Sequence, residues 1–195
     1  MGRINRIWYP GATYHVMCRG NRRGDIFREE EDYVTYLRIV SIAKRRYPFF
    51  LYDYCLMTNH VHLQLQTLDH EIWFIMQYIN TVYSRYYNKK YNVIGHLFQG
   101  RYRAELNEDD SYTLQTSRYI HLNPVKAKMV RLPQEYPWSS YRCYLGLEQS
   151  EIVDEAFILD YFKVNPRKAY KDFVEGNHQG AEVPFLEDEV AEWQS

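Results

Sequence analysis

Cysteine is scarce in this chain. There are three in 195 residues, Cys18, Cys55 and Cys143. They are too few and too scattered for a disulfide framework or a cysteine-rich zinc site, so a reducing, cytoplasmic setting is expected. No apolar run approaches the ~18 residues that a membrane-spanning helix needs, so no membrane partner is expected. No long apolar segment follows Met1-Gly2-Arg3-Ile4-Asn5-Arg6, which argues against a secretory signal, and Arg6 at the sixth position removes a myristoylation case. There is no fixed-period repeat and no low-complexity tract. The length suits one well-buried domain, or one domain with a small extension.

Net charge is also nearly absent, at -1. That total conceals a division. Residues 1–146 carry 20 Lys and Arg against 13 Asp and Glu, a net of +7. Residues 147–195 carry 4 against 12, a net of -8. A basic body with an acidic tail is an asymmetry that points toward nucleic acid. What the chain has in abundance is tyrosine, 20 residues of it, available for packing or for stacking on bases.

Periodicity supplies the architecture. Tyr14, Val16 and Cys18 alternate with His15, Met17 and Arg19, the period of a strand over Thr13 to Arg19. The basic turn Gly20 to Asp25 follows. Tyr33, Tyr36, Leu37, Val40, Ala43 and Tyr47 form a helical stripe over Glu29–Tyr47, ended by Pro48. Phe49–Met57 reads as a second strand and His60–Thr67 as a third, with Thr58-Asn59 between them. Ile72, Ile75, Met76, Ile79, Val82, Tyr83 and Tyr86 mark a long second helix. His96–Leu106 reads as a fourth strand. The order βαββαβ is that of the ferredoxin-like or RRM-like sandwich, an α+β fold with a four-stranded antiparallel sheet and both helices on one face. The other face is expected to be open and to act as the working surface.

A third helix is expected from about Asp110 to Asn123, where Pro124 should stop it. Short helices are expected over Ser139–Tyr144, Asp154–Phe162 and Pro166–Glu175, with residues 176–195 as a mobile acidic tail. The expected division is 1–146 as the main domain and 147–195 as an acidic, partly helical extension. Three roles fit the extension: a solvated appendage, the preferred one; a competitor with DNA for the basic face; or a helical cap beside the site.

His60-Val61-His62 puts two imidazoles on one strand face, since side chains two apart point the same way. The pair lies opposite Val61, Leu63 and Leu65, so it is not core filler, and the geometry suits one metal ion. Tyr119 and Asn123 are four apart and share a helix face. A helical tyrosine ordinarily packs, and spacing alone does not single out Tyr119.

Five ordered stretches do. They are Tyr14-His15-Val16-Met17-Cys18-Arg19-Gly20-Asn21, Leu56-Met57-Thr58-Asn59-His60-Val61-His62-Leu63, Phe98-Gln99-Gly100-Arg101-Tyr102-Arg103-Ala104, Arg118-Tyr119-Ile120-His121-Leu122-Asn123-Pro124-Val125 and Trp138-Ser139-Ser140-Tyr141. Over residues 8 to about 146 the chain resembles the HUH single-tyrosine transposases, and within them the REP-associated tyrosine transposases. The resemblance implies a metal site of His60, His62 and the amide oxygen of Asn123, taking Mg²⁺ or Mn²⁺. It implies Tyr119 as nucleophile, giving a 5′-phosphotyrosine link and a free 3′-OH. A phenol has a reference pKa of about 10, so a nearby cation would help the phenolate form. The implied substrate is single-stranded DNA at the foot of a hairpin, in a bacterial, nucleoid-associated setting.

Candidate DNA-binding residues are Arg19, Arg22, Arg23, Arg101, Arg103 and Arg118, as phosphate contacts. His121, on the opposite helix face, reads as structural. His15 is a candidate to support a metal ligand from behind. The sequence leaves open whether the tyrosine acts in cis in a monomer or in trans in a homodimer. The competing class is a non-catalytic RRM-like nucleic-acid-binding module, which would need the arginines and aromatics but not His60, His62, Tyr119 and Asn123 together. A metal-independent phosphodiesterase would need two separate His motifs, and only one is present.

Overall fold

The structure is a computed structural model that describes residues 8–176. Three strands follow the alternation of the sequence: β1 (Thr13–Arg19), β2 (Phe49–Met57) and β3 (His60–Thr67). With β4 (Arg103–Leu106) they form a sheet of order β2-β3-β1-β4 in which every pair is antiparallel. This is the expected βαββαβ topology. Tyr14, Val16 and Cys18 of β1 sit opposite Leu65, Leu63 and Val61 of β3. Those six residues share one core cluster with Tyr36 and Val40 of α1 (Glu30–Arg46) and Ile75, Ile79 and Tyr83 of α2 (Ile72–Tyr91).

The first helix starts at a reciprocal cap. The Asp32 carboxylate accepts the N–H groups of Arg28 at 2.8 Å and Glu29 at 3.2 Å, and the Asp32 N–H bonds the Glu29 carbonyl at 3.0 Å. Basic Lys44, Arg45 and Arg46 occupy its last turn, where they suit the negative helix end.

A bulge in β2 decides what lies on the opposite face. Leu51 pairs with Leu65, but Asp53 pairs with Gln64, so Leu51 and Tyr52 together oppose one residue. Without the extra residue Asp53 would face the apolar core. With it, Asp53, Cys55 and Met57 join His15, His62 and Gln64 on the second face.

That face is covered rather than open. The helix α3 (Asp110–Lys126) lies across it, and His15, Asp53 and Gln64 are fully buried. Gln64 donates from its amide to the Thr113 carbonyl at 3.0 Å. At the end of the sheet His60 and Arg19 stay partly exposed.

Two boundaries differ from expectation. Of His96–Leu106, only Arg103–Leu106 is strand. Residues 95–102 form a loop touching the sheet through one bridge, Gly20 to Phe98. Gly95 has φ +115°, outside strand geometry, and Leu97 and Phe98 are buried in succession, which a half-exposed strand does not allow. The helix α3 continues through Pro124 to Lys126. Proline forfeits one N–H, yet the helix carries on: Ala127 N–H bonds the Asn123 carbonyl and Met129 N–H the Pro124 carbonyl, both at 2.9 Å.

The C-terminal segment is packed, which overturns the solvated-appendage expectation for its described part. The helices α4 (Tyr141–Tyr144), α5 (Ala156–Leu159) and α6 (Pro166–Glu175) place Tyr144, Ile158, Tyr170 and Val174 in the main core with no exposure. Asp154 accepts the Leu51 N–H at 2.8 Å and pairs with Lys44. Residues 138–140 also pair along the β2 edge, with Leu56 N–H on the Trp138 carbonyl and Ser140 N–H on the Tyr54 carbonyl. This removes an exposed strand edge. The expected acidic tail beyond Gly176 lies outside the described residues.

Candidate active site

The tight β2–β3 connection sets His60 at the sheet end, and strand period brings His62 to the same face. Their ring centroids are 4.9 Å apart. Each ring is held at Nδ1. Asn59 Oδ1 lies 2.7 Å from His60 Nδ1, while the Asn59 amide nitrogen donates to the Arg23 carbonyl at 3.2 Å. A carbonyl can only accept, so the amide orientation is determined, and Asn59 Oδ1 must accept from His60 Nδ1. The His60 lone pair is then on Nε2. His62 Nδ1 lies 3.0 Å from His15 Nε2, with the two rings stacked at 5.2 Å and 19°. Burial, with the charge of Arg19 adding to it, pushes His60 down to about 4. Burial alone pushes His15 down to about 3, and burial with the neighbouring imidazoles holds His62 well below the usual range. All three are neutral near pH 7, the form in which imidazole ligates metal.

Above them, α3 delivers Tyr119. Its ring meets His62 edge-on at 5.6 Å and His15 at 5.8 Å between centroids, and it is 7% exposed. Asn123, one turn on, is buried, and its amide nitrogen donates to the Tyr119 carbonyl at 3.0 Å. That leaves Oδ1 of Asn123 as an acceptor. Lys126 follows, with its Nζ 5.0 Å from the Tyr119 ring centroid. Ending the helix at Pro124 hides Lys126, and nothing short of the continued helix reveals it.

The donor set fits a divalent cation. Two imidazole Nε2 atoms and an amide oxygen are neutral, so a bound ion would keep its charge. Among the described residues no group of three or more His, Cys, Asp or Glu is arranged to hold a metal. A site built on His60, His62 and Asn123 would be of the mixed imidazole–amide kind.

Four of the six arginines converge. Arg19, Arg23, Arg101 and Arg103, with Met17, Gln99 and Gly100, line a hollow of about 320 Å³. Arg19 is the register partner of His60, which puts this hollow beside the histidine pair. Gln99, Gly100 and Arg101 also line a larger groove of about 1580 Å³ along α2. Arg22 sits in the neighbouring 3₁₀ turn Asn21–Arg23, in left-handed geometry at φ 51°, and does not line the hollow. Arg118 is placed elsewhere. Its guanidinium donates to the carbonyls of Phe173 at 3.0 Å and Gly176 at 3.1 Å, capping the negative end of α6. This gives Arg118 a structural partner set that its place beside Tyr119 in the sequence does not suggest.

His121 is structural, as expected. Its Nδ1 lies 2.7 Å from the Tyr170 hydroxyl and its Nε2 2.8 Å from Ser140 Oγ, with Asp53 at 3.3 Å. Ser117 donates to Asp53 at 2.9 Å. Burial pushes His121 down to about 3 and Asp53 up to about 7, so this buried cluster ties β2, α3 and α6 together as a hydrogen-bond network rather than an ion pair.

A ferredoxin-like sheet that carries a His-x-His pair beneath a helix-borne tyrosine defines a class of protein by itself. Comparison with known sequences supplies the family. The chain belongs to the IS200-like transposase family, whose pattern matches residues 9–123. A protein of Haemophilus influenzae named as a REP-associated tyrosine transposase is 29% identical over 107 residues, covering 49% of this chain. The match spans 60% of that relative's length. The fold is similar to that of a REP-associated tyrosine transposase solved bound to a REP hairpin, at 16% identity and a TM-score of 0.64, with 79% of this chain and 98% of that one covered. A protein of Deinococcus radiodurans described as a transposase matches at 17% identity and a TM-score of 0.43, covering 61% of this chain and 95% of that one. No helix among the described residues is long and apolar enough to cross a membrane.

Proposed function

We propose that the chain is a metal-dependent transposase and endonuclease of single-stranded DNA, which nicks and rejoins DNA next to a hairpin through a 5′-phosphotyrosine intermediate. The observation that carries this reading is the Tyr119 ring set edge-on to His62 at 5.6 Å, on a helix that also bears Asn123. A non-catalytic RRM-like module has no use for a tyrosine enclosed against a histidine pair.

The Tyr119 oxygen attacks the scissile phosphorus, its proton leaves, and an oxygen–phosphorus bond forms. The bond to the 3′ oxygen breaks, and that oxygen departs as a 3′-OH. The covalent link retains the phosphodiester energy, so a new 3′-OH can reverse the step without ATP. His60, His62 and Asn123 would hold Mg²⁺ or Mn²⁺, which supplies Lewis-acid polarisation of the phosphate. Lys126 favours negative charge on the phenol. Arg19, Arg23, Arg101 and Arg103 track the DNA backbone into the site, with Arg22 at its margin. Tyr119 stands beside the His62 of its own chain, which supports cleavage in cis by a monomer over a shared site in a homodimer. A cytoplasmic, nucleoid-associated location accords with this substrate.

The test is cleavage of hairpin-bearing single-stranded DNA with Mn²⁺. Wild type should form a protein–DNA adduct that survives denaturants, and Tyr119→Phe should form none. An adduct that persists in Tyr119→Phe would remove Tyr119 from the nucleophile role.

A further inference from the structure

We infer that His15 is a positioning residue for the metal site: its Nε2 accepts the Nδ1 proton of His62 when a cation binds, which leaves the His62 Nε2 lone pair as the coordinating atom. The inference rests on the reading of His62 as a ligand. His15 lies at the centre of the sheet, fully buried, one strand over from His62, and its Nε2 is 3.0 Å from His62 Nδ1.

His60 is held differently from His62. An amide oxygen, itself oriented by the Arg23 carbonyl, accepts from His60 Nδ1. That partner permits one arrangement only, and the His60 Nε2 lone pair is always available. The partner of His62 is another imidazole, which can accept or donate. Two neutral arrangements share the 3.0 Å bond. In one, His62 Nδ1–H donates to His15 Nε2, and His15 carries its own proton on Nδ1. In the other, His15 Nε2–H donates to His62 Nδ1, and His62 carries its proton on Nε2, where it blocks coordination. Both arrangements contain two ring protons, so exchange between them changes no net charge. A cation selects the first. In either arrangement His15 Nδ1 is buried with no hydrogen-bond partner among the described residues, so the ring is not held here for its own satisfaction. The hydrogen bond it does make goes to His62. Hydrogen bonds behind a metal-bound histidine are worth roughly 10–100-fold in metal affinity.

The experiment is titration of the full chain with Mn²⁺ alone, followed by electron paramagnetic resonance of the free ion. Wild type should bind, and His62→Ala should not. His15→Phe, which keeps the ring volume and removes the acceptor, should weaken binding by about 10–100-fold. His15→Gln, whose amide oxygen can accept as Asn59 does for His60, should recover part of the loss. Wild-type affinity in folded His15→Phe overturns the inference while leaving the metal site intact. Unchanged binding in His62→Ala would instead strike at the ligand reading itself. A measurement on wild type covers a variant that does not fold: long-range nitrogen–proton NMR correlation with Zn²⁺ bound should find the His62 proton on Nδ1. Finding it on Nε2 overturns the inference.

Discussion

Arg118 separates a phosphate contact from a structural strut. It neighbours Tyr119 in sequence, and chemistry alone makes it a natural phosphate ligand. The structure instead gives it two carbonyl partners, Phe173 and Gly176, 55 and 58 residues away. The substitution Arg118→Met keeps most of the aliphatic stem and removes the guanidinium. Hydrogen bonds involving a charged group are each worth about 1.5–3 kcal/mol when buried. Arg118 is partly exposed, which reduces the pair to roughly 2 kcal/mol in total. For a domain of this size that is a fall in melting temperature of about 4–8 °C. The companion assay is hairpin DNA affinity against salt. Loss of one phosphate contact flattens the logarithmic slope by about 0.7–0.9. Arg118→Met should leave that slope unchanged, whereas Arg101→Met should flatten it. An Arg118→Met protein of wild-type melting temperature with a flattened slope would refute the strut.

Deleting residues 147–195 should destabilise the protein severely, because it strips buried Ile158, Tyr170 and Val174 from the main core; urea unfolding measures the loss. Lys126 Nζ lies 5.0 Å from the Tyr119 ring centroid and is exposed, and an exposed charge pair is worth up to about 1 kcal/mol. Lys126→Met should therefore slow adduct formation by about 5-fold in single-turnover assays, with hairpin affinity little changed. Stability should fall as pH drops from 6.5 toward 4. His15, His60 and His121 have folded pKa values depressed to between about 3 and 4, so the unfolded chain binds more protons across that window. Asp53, raised to about 7, acts in the opposite sense but is one group against three. Chemical denaturation at a series of pH values checks the slope.

Strand period was enough to bound β1, β2 and β3, and with them the facing of His60 and His62, because side-chain alternation is a local property of the backbone. The motif at Tyr119 was equally legible, though only through resemblance, since twenty tyrosines look alike to composition and spacing. Local rules failed where a long-range contact outweighed them. Pro124 should end a helix, but the chain around it remains helical to Lys126 with Asn123 and Pro124 buried. Gln99, Arg101 and Arg103 mimic strand alternation, but Gly95 before them, Gly100 among them and a bridge from Gly20 to Phe98 turn the segment into a loop.

The sequence by itself determined the βαββαβ order, the histidine pair and the basic character of the body. Each is written in neighbouring residues. Only the tertiary structure decided that the second sheet face is covered, that Arg118 caps the end of α6, and that His15 stands behind His62. Those outcomes depend on which surfaces meet across the bulge at Tyr52 and beneath α3. Packing between segments dozens of residues apart leaves no periodic trace along the chain.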